Sequence, residues 1–178
     1  MINLFYGQLK LLSMKKNLPV AAIASFLMMV VLRWQGASLK TTTSSRAIVD
    51  LEFADTSQRL QELLLNWDIS VVKMNIWLDF LFIVSYVLLL SIASEICAMK
   101  WPAGIMRQAG LILARVAFAA GILDIAENLF MLQSIAGNFT VASLQLTYYC
   151  AAVKFSLAAI ILLYLLVSLP VAIRKNKI

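Results

Sequence analysis

Two carboxylates and a carboxamide interrupt an otherwise apolar run at Gly121-Ile-Leu-Asp-Ile-Ala-Glu-Asn-Leu-Phe-Met-Leu132. On a helix Asp124 lies on the same face as Glu127 and Asn128, three and four residues on, and Ser134 extends that face. A charged group at bilayer depth is costly, so such residues face a protein interior and mark ion, proton or ligand pathways.

Two other apolar stretches carry polar stripes that can meet this one. Asn75, Asp79 and Tyr86 line up on the first, and Thr147, Cys150, Ala151, Lys154 and Ala158 on the second. The small residues in the second stripe let a neighbouring helix approach closely. At about 1.5 Å per residue, Asp79 lies about 9 Å in from Lys73, Glu127 and Asp124 about 15 and 20 Å in from Gly137, and Lys154 up to about 20 Å in from Val141. All four depths run from the same membrane face, which puts the groups in one slab.

Three ionised carboxylates around one ammonium would leave two charges uncompensated in a low dielectric. The carboxylates must therefore be protonated, hydrated or paired with a bound cation. Asp124 and Glu127 are the expected cation or proton ligands, with Asp79 in support. Asn128 supplies a neutral donor and acceptor, Tyr86 and Thr147 supply hydroxyls, and Lys154 is the internal counter-charge. Asp79, Asp124 and Glu127 are also the candidate ligands for an oxygen-bound divalent cation; no other cofactor is evident. A purely structural reading competes, in which Lys154 bridges to one carboxylate and Asn128, Tyr86 and Thr147 complete the hydrogen bonds, fixing helix register. Asp50 and Glu52, in the long hydrophilic connection, are expected on a solvated loop face, with added acceptors at the mouth of the site as the alternative.

Other chemistries lack their residues. The chain has no histidine, which removes the usual zinc and haem ligands. Its two cysteines, Cys97 and Cys150, form no CxxC motif and are expected toward different membrane faces. No nucleotide-binding or nucleophile-elbow motif is present.

Composition says what positions these groups. Of 178 residues, 62% are hydrophobic and 13% charged, and mean hydropathy is +0.89, which is the signature of an integral membrane protein. With roughly 20 apolar residues needed per span, this length allows four spans in one membrane domain. The expected architecture is all-α, a polytopic four-transmembrane-helix bundle over 1–178 with spans near 18–34, 73–99, 104–136 and 141–173. The external loop, 35–72, carries an amphipathic helix.

A lead-in with Leu4, Phe5, Leu9, Lys10, Leu11 and Leu12 precedes the first span, and Pro19 falls in that span's first turn. Lys15 and Lys16 before a compact apolar run, with Gly36-Ala37-Ser38 after it, also fit a cleaved signal peptide, although no clean A-x-A site is present. In the loop, Asp55 and Thr56 offer helix caps, and Leu60, Leu63, Leu64 and Trp67 recur at helical spacing. That stripe is expected on the membrane surface, over the bundle's mouth, or against a homo-oligomeric or membrane-protein partner.

The net charge of +6 is read as a topology signal and not as nucleic-acid binding. Basic residues cluster at both termini and at Lys100 and Arg107, whereas Arg33 through Lys73 balances five basic against five acidic residues. Four spans put every basic cluster on one side, so both termini are expected in the cytoplasm. Arg107, Arg115 and Glu95 are expected nearer that side, and Arg115 lies about 180° around the helix from Asp124. Asn138-Phe-Thr140 matches a glycosylation sequon too close to the membrane to be used.

Asp50-Leu-Glu-Phe-Ala54, Leu64-Leu-Asn-Trp67, Leu78-Asp-Phe-Leu-Phe82 with Tyr86, and Leu123-Asp-Ile-Ala-Glu-Asn128 resemble a pattern in a group of small bacterial multi-spanning proteins of unassigned function. The resemblance implies a bacterial inner (cytoplasmic) membrane and no particular activity. The leading functional expectation is a pocket that binds or translocates a cation, a proton or an amine-bearing small molecule. A second is a membrane-embedded enzyme acting on a lipid or isoprenoid by carboxylate acid/base chemistry, although no nucleophile dyad is evident. A third is an accessory subunit of a membrane complex.

Overall fold

The computed structural model describes the backbone of residues 2–174 and the side chains of residues 14–171. The lead-in stripe from Leu4 to Leu12 and the basic tail Arg174, Lys175 and Lys177 lie outside the described side chains. Among the described residues the chain is all-helical, with six α-helices and no strand. They are α1 (Ile2–Gln35), α2 (Ile48–Glu52), α3 (Ser57–Asn66), α4 (Ile69–Lys100), α5 (Ile105–Ile135) and α6 (Val141–Arg174).

Four of these contain stretches long and apolar enough to cross a membrane: Met14–Gln35, Ile69–Lys100, Ile105–Ile135 and Val141–Val171. A helix satisfies its own backbone, which hydrocarbon requires of any spanning segment. Large apolar side chains such as Val20, Leu81, Ile122 and Leu163 stand exposed along all four, as expected of surfaces that contact lipid.

Two helix starts differ from expectation, and two other helix ends are fixed by local bonds. The first helix begins well before the apolar run, so Pro19 sits inside it and not in its first turn. The second span starts at Ile69, because the Asp68 carboxylate accepts from the Ser70 amide at 2.8 Å and caps the helix. Of the two cap candidates before α3, Thr56 serves, accepting from the Arg59 amide at 3.2 Å. At the end of α5, Gly137 adopts φ 81°, and the Gly137 and Asn138 amides donate to the Ser134 and Gln133 carbonyls. These paired bonds are a Schellman motif, and its left-handed residue favours glycine.

α5 packs between α4 and α6, and α1 lies chiefly against α4. Asn75 on α4 ties α1 in place, donating to the Leu32 carbonyl at 3.1 Å and to Gln35 Oε1 at 2.7 Å. Two apolar cores result. One, under α2 and α3, joins Leu51, Leu60, Leu63, Val72, Ile76 and Met131; the other, deeper along the bundle, joins Leu90, Ala117 and Ile161. Along α4, α5 and α6 the polar residues of the candidate site fall between these cores.

The amphipathic helix is covered from within. Leu60 and Leu63 are fully buried, Trp67 is buried and Leu64 is half-buried, all in the first core. This corrects the expectation that the stripe Leu60, Leu63, Leu64 and Trp67 meets a homo-oligomeric or membrane-protein partner: its surface already roofs the chain's own bundle.

Close helix approach depends on Gly110. A Cβ there would run into the Tyr164 ring of α6 and come within 2.8 Å of Ala98 Cβ on α4. Ala is favoured over Gly in helices by up to about 1 kcal/mol, but overpacking costs about 1–3 kcal/mol. Gly110→Ala should therefore lower the melting temperature in detergent by several degrees, and a rise would contradict this packing.

Candidate functional site

Each wall of the site comes from a different helix. α5 runs antiparallel to its neighbours and contributes Asp124, Glu127 and Asn128 on one buried face, with relative exposures of 4%, 0% and 1%. Gly121, one turn before Asp124, meets Val87 of α4 without a side chain between them. On α6 the small buried Ala151 leaves room beside Lys154, which is itself buried.

Lys154 is the hub. Its ammonium donates to Asp124 Oδ1 at 2.6 Å and to Glu127 Oε1 at 2.9 Å. It also lies 3.5 Å from Glu52 Oε2, an ion pair too long for a full hydrogen bond. The other oxygen of Asp124 accepts from the Tyr86 hydroxyl at 2.8 Å, and the Asn128 amide donates to Asp79 Oδ2 at 2.8 Å. The expected Tyr86, Asp124, Glu127 and Lys154 therefore form one bonded network across three spans, and Asn128 with Asp79 makes a second, separate pair between α5 and α4.

Three expectations are corrected here. Thr147 is buried, but its hydroxyl donates to the Ser143 carbonyl at 3.0 Å, one turn back on its own helix, and takes no part in the network. Asp79, Asp124 and Glu127 do not form a metal set: among the described residues no group of three or more such side chains is placed to hold an ion, and the Lys154 ammonium sits where Asp124 and Glu127 converge. Glu52 is not on the solvated loop face favoured for it but takes the alternative place, buried in the site at 8% exposure, where it adds a fourth carboxylate. Arg115 is exposed and outside the network, as its position around the helix predicts.

Glu52 reaches the site because its short helix is pinned from several directions. Leu51 is buried in the first core. Phe53 meets α6 edge-on at Tyr148 and stacked at Phe155, with ring centroids 5.4 and 6.0 Å apart. Before the helix, Asp50 gathers the loop by accepting from the Arg46 amide, the Arg46 guanidinium and the Ser44 hydroxyl at 2.9, 3.0 and 3.1 Å. Burial raises the Asp50 pKa, but these bonds outweigh it and hold the carboxyl below its ordinary value. Ala47, at φ 55°, occupies backbone space that L-residues rarely adopt, a strain that redirects the chain into the helix. The sequence signal for Glu52 was its setting: two acids embedded in the apolar run Ile48-Val-Asp-Leu-Glu-Phe53.

Two cavities meet at Glu52 and Asp79. One, of about 410 Å³, opens beside the loop and is lined by Arg33, Lys40, Arg46 and Asn75 as well as these carboxylates. The other, of about 610 Å³, passes Asp124 and Lys154 and continues between α1 and α6 along apolar side chains. Glu52 Oε2 and Glu127 Oε2 are both buried without a hydrogen bond.

No family model matches the chain, and neither a curated protein nor a solved structure matches it. The fold and its polar centre define a helical membrane protein with a buried carboxylate and lysine cluster.

Burial raises the Glu52 pKa to about 7; Lys154 opposes the shift, while Asp124 and Asp79 add to it. Folded Glu52 thus holds its proton more tightly than unfolded Glu52, whose ordinary value is 4.5. Stability from this group is complete below that value and is lost as pH rises through about 7. Glu52→Gln removes the titration. The melting temperature of the variant, minus that of wild type, should climb across this interval and level off above it, whereas a pH-independent difference would contradict the burial of Glu52.

Proposed function

We propose that the chain is a membrane-embedded binding protein whose pocket takes a cation of the amine class, exchanging it for a proton at Glu52. The observation that carries this reading is the buried Glu52 Oε2, which has no hydrogen bond, keeps only the long 3.5 Å ion pair with Lys154, and belongs to a residue that lines both cavities together with Asp79. Lys154 is already committed to Asp124 and Glu127 at the short distances. The open position therefore lies on the Glu52 and Asp79 side of the cluster. A bound ammonium offers N–H donors and positive charge to both carboxylates, and charge-assisted hydrogen bonds are the strong ones.

The pH dependence follows from the groups facing Glu52: Lys154 on α6, Asp124 and Glu127 on α5, Asp79 on α4, and Arg33, Lys40 and Arg46 around the open cavity. A proton on Glu52 competes directly with the ammonium. Binding strengthens as pH rises through about 7 and weakens as it falls. The distribution of basic residues supports a reading with the termini in the cytoplasm of a bacterial inner membrane and the α2 and α3 connection on the opposite side.

The test is thermal unfolding in detergent with ethanolamine, against ethylene glycol as the uncharged control. A ligand at 100 times its dissociation constant stabilises by about 2.7 kcal/mol, which is a shift of several degrees. Ethanolamine should raise the melting temperature of wild type above neutral pH, less so under mildly acidic conditions, and not at all in Glu52→Gln or Asp79→Asn. An equal shift in those variants, or none in wild type, overturns the reading.

A further inference from the structure

The apolar cavity has the form of a cleft in the side of the bundle. Ala22 and Phe26 of α1 form one wall, Ala158 and Leu162 of α6 the other, and Leu89 and Leu90 of α4 lie at its far end. Phe26 and Leu162 are 60% and 51% exposed, so the rims of the cleft belong to the surface that faces lipid. From Asp79 to Leu90 along α4 the cleft descends about 16 Å. One leaflet of hydrocarbon is about 15 Å deep, half of a core about 30 Å thick. Because Asp79 itself lies about 9 Å in from Lys73, the cleft runs from the polar cluster in one leaflet past the bilayer midplane, open sideways to the membrane.

Its upper end joins the loop-side cavity, where charge is divided. Arg33 and Lys40 are exposed and make no ion pair among the described residues, and they share this cavity with Glu52 and Asp79. Cations at the rim and carboxylates within complement a head group that carries an anion and an ammonium together. A soluble zwitterion would use this polar end only and leave the apolar cleft empty, whereas an amphiphile fills both.

We propose that the site binds a bilayer phospholipid with an aminoalkyl phosphate head group. Its ammonium lies between Glu52 and Asp79, its phosphate at Arg33 and Lys40, and one acyl chain in the cleft between α1 and α6. This rests on the amine site proposed above and adds the lipid as its ligand. A primary ammonium has three N–H donors for the carboxylates, whereas a trimethylated one has none. The pocket therefore separates head groups by hydrogen bonding as well as by charge.

The experiment is native mass spectrometry of the purified protein with an equimolar mixture of phosphatidylethanolamine, phosphatidylcholine and phosphatidylglycerol of identical chains. Wild type should retain phosphatidylethanolamine at least about tenfold over each of the others, a discrimination of about 1.4 kcal/mol. Arg33→Ala combined with Lys40→Ala removes contacts to the phosphate that all three lipids carry, so it should reduce retention of phosphatidylethanolamine severalfold; undiminished retention overturns Arg33 and Lys40 as the phosphate site. Ala158→Trp and Ala22→Trp fill the cleft from opposite walls; each should lose the lipid while keeping the ethanolamine-dependent rise in melting temperature, which also reports that the variant is folded. Equal retention of the three lipids by wild type overturns the proposal whatever the variants do. Undiminished retention in a folded tryptophan variant overturns the cleft as chain site and leaves the amine site standing. Loss of the ethanolamine response in wild type removes the amine site itself.

Discussion

Lys154 is a buried ammonium whose position every neighbouring element must respect. Removing such a charge from water costs several kcal/mol, and its partners recover that only at short, well-directed distances. Asp124 and Glu127 meet this demand from one face of α5, and Glu52 approaches from α2. Tyr86 then satisfies the outward oxygen of Asp124, which ties α4 into the same network, and the separate Asn128 to Asp79 bond joins α5 to α4 again. The small residues nearby follow from this constraint. Ala151 and Gly121 allow helices to come close enough for lysine and carboxylates to touch.

The same constraint explains why the loop between the first two spans is ordered. A cluster with four carboxylates and one lysine is costly to hold in a low dielectric unless its neighbours are fixed, and α2 and α3 cover its loop-side end with Leu51, Leu60, Leu63 and Trp67. The strained backbone at Ala47, the Asp50 anchor and the Phe53 stack serve a single end, which is to turn Glu52 inward. The second core, at Leu90, Ala117 and Ile161, seals the opposite side. Polar chemistry is thereby confined to one layer, with access through the loop-side cavity and the lateral cleft.

Much of this is legible in the amino-acid sequence. Long apolar runs announce spanning helices, and depth and helical phase together bring Asp79, Asp124, Glu127 and Lys154 to one level and one interior. Phase also separates Arg115 from Asp124. What escaped depends on tertiary contacts that no local pattern encodes. Thr147 has the right phase, yet a hydroxyl one turn from a carbonyl on its own helix is satisfied there. The Leu60, Leu63, Leu64 and Trp67 stripe fits a membrane, a partner or the chain's own mouth equally well until the fold covers it. Glu52 looked like loop because acidic residues in polar connections usually are solvated, and its apolar neighbours were the only sign otherwise. α4 starts ahead of its apolar run because hydropathy marks lipid-facing surface, whereas a cap such as Asp68 marks the helix end.

The central claim is that Lys154 and its carboxylates act as one unit that organises the bundle. A double-mutant cycle of Lys154→Met with Asp124→Asn, followed by reversible unfolding in detergent at neutral pH, measures that most directly. Removing one partner of a buried pair costs about 3–5 kcal/mol, because the other is left uncompensated. Each single variant should therefore be strongly destabilised and the double variant much less than their sum, with a coupling of about 2 kcal/mol or more, within the range for residues sharing one network. Additivity to within about 0.5 kcal/mol would mean that the two charges stabilise the fold independently, and would contradict the account.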